Sequence, residues 1–146
     1  MSDNEAIIRE LYRRAEVQDS AGFTALFAPD GYFHDISAGQ KYVGAEIGKT
    51  VDIYAAAFPD MHRALEQLMV MDDVVVVQLS LNGTHRGPLV LPAGTVAPTL
   101  QTIHAPCCDV FRLKEGKVVS FDCYTAATIL FAQLGILGNL SAALQA

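Results

Sequence analysis

Charge is what this chain lacks most. Only 18% of its 146 residues are Asp, Glu, Lys or Arg, against 51% that are hydrophobic, and the mean hydropathy is +0.28. A domain this small has much surface and few charges to cover it, so some apolar residues must line a cavity or an interface. The same surplus excludes disorder. Basic residues are scarcer still: 10 Lys and Arg stand against 16 Asp and Glu, a net charge of -6 with no basic run. That excludes nucleic acid and anionic membrane surfaces as natural partners. The longest apolar runs, residues 74–77 and 129–132, fall far short of a bilayer span. The start, MSDNEAIIRE, is too acidic for a signal peptide. Three cysteines, two of them adjacent, make no disulfide framework. Cys107 and Cys108 should point to opposite faces of a strand as inert thiols, and a reducing cytoplasm fits them. No repeat appears, and residues 1–146 read as one domain.

What is present reads as helices followed by strands. Ser2-x-x-Glu5 resembles a capping box, and Ile7, Ile8, Leu11, Tyr12 and Ala15 recur at helical spacing behind it. A short second helix over 21–27 buries Phe23, Leu26 and Phe27. Pro29-Asp30-Gly31 signals a turn before a strand over 32–36, with a short partner at 40–43. Gly44 opens a third helix whose apolar face holds Ile47, Val51, Tyr54, Ala55 and Phe58. Strands follow over 63–71, 74–85, 99–113 and 117–124. The run 74–77 is so continuous that both of its faces should be covered. Residues 86–98 form a Gly/Pro-rich loop, 125–134 an apolar helix stopped by Gly135, and the rest an apolar tail. This order predicts an α+β domain, with three N-terminal helices around a strongly bent antiparallel sheet and a pocket inside.

Four motifs then stand in order: Phe58-Pro59-Asp60-Met61-His62; Asn82-Gly83-Thr84-His85-Arg86-Gly87-Pro88; Asp109-Val110-Phe111-Arg112-Leu113-Lys114-Glu115-Gly116-Lys117-Val118-Val119; and Gln133-Leu134-Gly135-Ile136-Leu137. Together they resemble the SnoaL-like polyketide cyclases of the NTF2-like superfamily. The resemblance implies a cone-shaped α+β barrel, a homodimer formed through the open sheet, and no cofactor. It also implies general acid/base chemistry on a hydrophobic carbonyl compound. Ketosteroid-isomerase-like chemistry and a non-catalytic module binding an apolar ligand are the alternatives, because fold alone does not decide function.

Such chemistry needs a base for a proton α to a carbonyl and a donor for the enolate oxygen. Asp122, on the last strand, shares a face with Ser120 and Tyr124 by the period-2 rule. In the cyclases the acid/base aspartate lies on this strand, in many members one or four positions further on, where this chain has Cys123 and Ala126. A shift of one residue would turn Asp122 from the pocket to solvent. His104 could donate to a substrate oxygen, or be a polar residue near a strand start. His85 would stand at the pocket rim, or anchor the loop after it. A second constellation is similar to the isomerases: Asp35 as base, with Asp109 and Tyr12 as oxyanion donors. His34 and His62 could reach the mouth, and Phe27, Tyr54, Phe58, Phe111 and Tyr124 would line the pocket. The four histidines show no metal-ligand spacing, so no metal is expected. No phosphate loop and no Gly-x-Ser-x-Gly stretch is present.

Overall fold

Helix α1 (Asn4–Glu16) begins at Asp3, whose carboxylate accepts from the Ala6 amide at 3.0 Å. Ser2, the expected cap, lies outside the described residues, which run from 3 to 138 in this computed structural model. Ile8, Leu11, Tyr12 and Ala15 form the buried face of α1, and Arg13 and Arg14 sit in its last turn, where they suit the helix dipole. Asp19 caps α2 (Ser20–Ala25) through the Gly22 amide and also holds Arg14 at 2.7 Å.

The chain continues through β1 (Phe27–Asp35), β2 (Gln40–Val43), a 3-10 turn (Gly44–Gly48) and α3 (Lys49–Ala57). Next come β3 (His62–Met71), β4 (Val74–Thr84), β5 (Leu89–Leu91), β6 (Gly94–Val96), β7 (Thr102–Lys114), β8 (Lys117–Thr125) and α4 (Ala127–Leu134). Six strands form one sheet in the order β2-β1-β8-β7-β4-β3. The α+β class holds, with one correction to the expected sheet and one to the helices. The sheet is mixed, because β1 runs parallel to β8 while the other neighbours are antiparallel. The helices are not all N-terminal: α4, where a helix is expected over 125–134, follows the sheet and packs on β7.

Other local expectations shift for physical reasons. Pro29-Asp30-Gly31 is not a turn ahead of the strand but lies within β1. Phe27 opposes Val118 and Tyr32 opposes Ser120, so residues 28–31 bulge inside β1. Further register shifts at Leu65/Gln67 and Arg112/Leu113 add bends to the sheet. In the run 74–77, Val75 and Val77 are buried, whereas Val74 and Val76 are half-buried on the outer face. The loop over 86–98 contains the β5–β6 hairpin. Gly135 ends α4 with φ of 74°, as the sequence signals. The tail beyond Gly138 lies outside the described residues.

Two of the motifs clamp one another. The Asp60 carboxylate accepts from the Thr84 amide at 2.8 Å, and the amides of Arg86 and Gly87 donate to the Ala57 carbonyl. A Cβ on Gly87 would meet the Ala56 carbonyl oxygen at 1.9 Å, so only glycine fits there.

Register sets which residues face inward. Phe33, Phe121, Phe111 and Val75 form one cross-strand row and point in. The next row, His34, Asp122, Val110 and Val76, therefore points out. The row after that, Asp35, Cys123, Asp109 and Val77, points in again. Phe121 is the hub of the core: its ring centroid lies 4.2 Å from both Phe33 and Phe111 and 6.4 Å from Phe23 and Phe27. Phe121→Ala should cost about 3–5 kcal/mol through lost burial and a cavity. Thermal denaturation should read this as a fall in Tm of roughly 10 °C.

Candidate functional site

A cavity of about 220 Å³ opens between α3, the end of β1 and the β5–β6 hairpin. Apolar side chains make most of its wall: Phe33, Ile53, Leu89, Leu91 and Pro92, with Tyr42 and Tyr54. The hairpin thus covers the mouth. Phe33, Thr50, Tyr54 and Cys123 also line a narrower recess of about 40 Å³, which reaches Tyr12, Cys107 and Asp109. Asp35 stands at the mouth and Asp109 at the floor.

Asp109 is 2% exposed in the middle of β7. Its Oδ2 accepts from the Tyr12 hydroxyl at 2.5 Å, and its Oδ1 accepts from the Cys107 thiol at 3.3 Å. Burial raises its pKa from 3.8 to about 6, and the hydrogen bonds from Tyr12, Cys107 and Cys123 and the charge of Arg63 only partly oppose that rise. Burial and the Asp109 carboxylate push the Tyr12 phenol well above its ordinary range, so it stays a donor. Asp35 is also raised by burial, held back by the Ala38 and Ser37 amides. Asp35 and Asp109 share the inward row with Cys123 between them, which sets their backbones roughly 10 Å apart across three strands.

Thr125 joins the floor to the mouth. Its hydroxyl lies 3.5 Å from the Cys107 sulfur and 3.4 Å from the Cys123 sulfur. Tyr54 lines the recess with Thr125, and burial lifts its phenol far above the usual range.

The structure separates the other expected residues from this site. Asp122 lies on the outer face, where its carboxylate faces His34 at 3.9 Å; Cys123 takes the inward position. Tyr124 is 48% exposed on the outer face. His104, also outward, bonds to Asn82 at 2.5 Å, while its backbone pairs with the Gln133 amide group. His85 is fully buried, yet outside the cavity wall. Its Nδ1 meets Thr99, and its ring packs on Phe58 at 5.4 Å. It anchors the loop, and burial lowers its pKa. His62 is exposed beside Glu16. Phe27, Phe58 and Phe111 are core residues behind the wall.

Of the expected set, the cavity therefore takes Asp35 and Tyr54, and the recess takes Tyr12, Tyr54 and Asp109. The sequence reading missed Phe33, Tyr42, Leu91, Cys123 and Thr125 as lining residues. The signal for Cys123 was its position one residue beyond Asp122. Among the described residues, Cys107, Asp109 and Cys123 group their ligand-type atoms within 4.8 Å of one another. No described helix is long and apolar enough to cross a membrane.

The SnoaL-like domain family matches residues 8–121. Solved structures of similar shape include AclR from Streptomyces galilaeus, described provisionally as a hydroxylase. It has a TM-score of 0.79 and 23% identity, covering 95% of this chain and 89% of that one. A provisional SnoaL-like polyketide cyclase from Jannaschia sp. CCS1 gives 0.77 and 21%, covering 92% and 93%. A hypothetical protein with a ketosteroid-isomerase-like fold from Catenulispora acidiphila gives 0.75 and 18%, covering 90% and 93%. These likenesses establish the fold. No curated protein matches the chain.

The buried carboxyl has a measurable signature. The folded state holds the Asp109 proton more tightly than the unfolded chain, so stability falls as pH rises from about 4 to about 6. The full cost, about 3 kcal/mol for a two-unit shift, is present above that window. Asp109→Asn keeps an acceptor for Tyr12 and removes the titration. Chemical denaturation should show the variant more stable than the wild type at pH 7, with the pH 4–6 slope flattened.

Proposed function

The chain belongs to the SnoaL-like domain family, and from that premise we propose that it is an enzyme for a hydrophobic carbonyl compound. It uses general acid/base chemistry and needs no cofactor for it. The observation that carries this reading is the pair of carboxyls on one inward row, Asp35 in the wall of the apolar cavity and Asp109 in the recess that shares Phe33, Thr50, Tyr54 and Cys123 with it.

Two carboxyls in different environments divide the labour of acid and base. Asp35, less buried and bonded by backbone amides, is the base that takes a proton from the carbon α to the carbonyl. Asp109, fully buried and raised to about 6, holds its proton longer and presents it to the carbonyl oxygen as negative charge develops there. Tyr12 fixes the carboxyl from the opposite side. The apolar walls exclude water and strengthen both interactions. The enolate so formed is common to aldol ring closure and to isomerisation. The name of the Jannaschia relative favours ring closure in a polyketide-like compound. These are the residues of the isomerase-like constellation, now serving a cyclase-type reading; Asp122 has no part in it.

Enolisation can be tested without the natural substrate. In D2O, NMR of a bicyclic aromatic ketone such as a tetralone should show exchange of its α protons accelerated by the protein. Asp35→Asn and Asp109→Ala should each reduce the acceleration at least about 100-fold, and Asp122→Asn should leave it unchanged. Exchange that is equally fast with all three variants would point instead to an apolar-ligand module.

Among the described residues, the outer sheet face leaves Val74, Val76 and Val110 half-buried and Tyr124 exposed. We propose a homodimer through this face. Light scattering should give about twice the mass of 15.7 kDa, and Val110→Glu should return it to the monomer value.

A further inference from the structure

The acid/base reading leaves two thiols at the cavity floor unused. Asp109 stands opposite Cys123, and Cys107 stands opposite Thr125, so the two cysteines are diagonal neighbours on the inner face of β7 and β8. Their sulfurs lie 3.7 Å apart, in van der Waals contact. Both residues are largely buried from bulk water, at 6% and 8% exposure, but Cys123 lines the open cavity as well as the recess. Cys108 points the other way, beside Tyr124 and Gln78 on the outer face.

We propose that Cys107 and Cys123 form a modification site, a dithiol closed to an intramolecular disulfide by a small peroxide admitted through the cavity. The inference does not depend on the enolisation described above. Isolated buried thiols are inert because they stay protonated, and Cys123 is indeed held protonated by its bond to Cys107 and by burial. A built-in base changes that. Asp109 accepts a hydrogen bond from the Cys107 thiol, and its carboxylate lies within 4.8 Å of the Cys123 sulfur, close enough to take the Cys123 proton as the sulfur moves to attack. The Cys123 sulfur then attacks one peroxide oxygen. The S–O bond forms, the O–O bond breaks, and the departing hydroxide takes the proton from Asp109 to give water. The resulting sulfenic acid is within reach of Cys107. The Cys107 sulfur attacks the oxidised sulfur, the S–S bond forms, and the hydroxyl leaves with the Cys107 proton as a second water. Two thiols lose two electrons and two protons, and the peroxide is reduced to two waters. Closing the bond removes the thiol donor from Asp109 Oδ1, so oxidation changes the floor of the site directly.

Hydrogen peroxide is the probe, and intact-mass spectrometry with thiol counting in denaturant is the readout. The wild type should lose 2 Da and fall from three reactive thiols to one. Peptide mapping should find the Cys107–Cys123 cross-link. Cys108→Ser should lose the same 2 Da and fall from two thiols to none. Cys107→Ala and Cys123→Ala should not lose 2 Da, and either alone suffices if the other fails to fold. A wild type that keeps three thiols under peroxide concentrations that oxidise dithiothreitol would overturn the proposal. So would oxidation confined to Cys108, whether as added oxygen or as a covalent dimer.

Discussion

A carboxyl group in the middle of an apolar sheet face must find partners, and the arrangement around Asp109 follows from that need. Its principal partner is the Tyr12 hydroxyl, ninety-seven positions earlier in the chain. For that bond to form, α1 must lie against the concave face with its apolar stripe turned inward. Ile8, Leu11 and Ala15 supply the stripe, and they carry Tyr12 to the required spot. Leu11, Tyr12 and Ala15 then become wall of the recess below the main cavity. The bond therefore joins the first helix to the sheet and sets the depth of the site. It also leaves the carboxyl dry enough for burial to outweigh its hydrogen bonds, so its pKa rises rather than falls.

Much of the fold was legible in the residues because it is written locally. Helical spacing in α1 and Gly135 after α4 each act over a few positions. The parallel pairing of β1 with β8 was not legible. It joins segments some ninety residues apart, and nothing in either strand states the direction of its neighbour. The bulge over 28–31 misled for a related reason: proline and glycine signal a break in regularity, and the chain there breaks its register without leaving the sheet.

The site was half legible, and register explains the division. Asp35 and Asp109 were recognised through the resemblance, and both fall on the inward row. Asp122 was read correctly as lying on the right strand but belongs to the outward row. Cys123, one residue on, takes the place facing the cavity. A period of two turns an error of one residue into an error of face. The histidines misled in another way. His85 lies in a motif that carries the family likeness, yet the motif's work is mechanical. Asp60, Thr84, Gly87 and His85 tie the end of α3 to the segment that becomes the hairpin over the mouth. Here the pattern that carries the family likeness largely holds the fold, and of its residues Asp109 lies in the wall of the recess.

The shortage of charge and the presence of a buried acid belong together. Native domains are stable by only about 5–15 kcal/mol, and an ionised carboxyl on this floor costs about 3 kcal/mol of that. A chain with a weaker core would lose a large fraction of its margin to Asp109. Here five phenylalanines, Phe23, Phe27, Phe33, Phe111 and Phe121, interlock beside it, and each can contribute several kcal/mol by burial. The apolar surplus thus has a second use besides lining a cavity. It offsets the standing cost of one carboxyl kept out of water, and keeping that carboxyl dry holds its proton up to about pH 6. Trading Asp109 for an uncharged residue would make a more stable protein with an ordinary core. Its retention is the physical reason to read this cavity as a site of proton transfer rather than as a gap in packing.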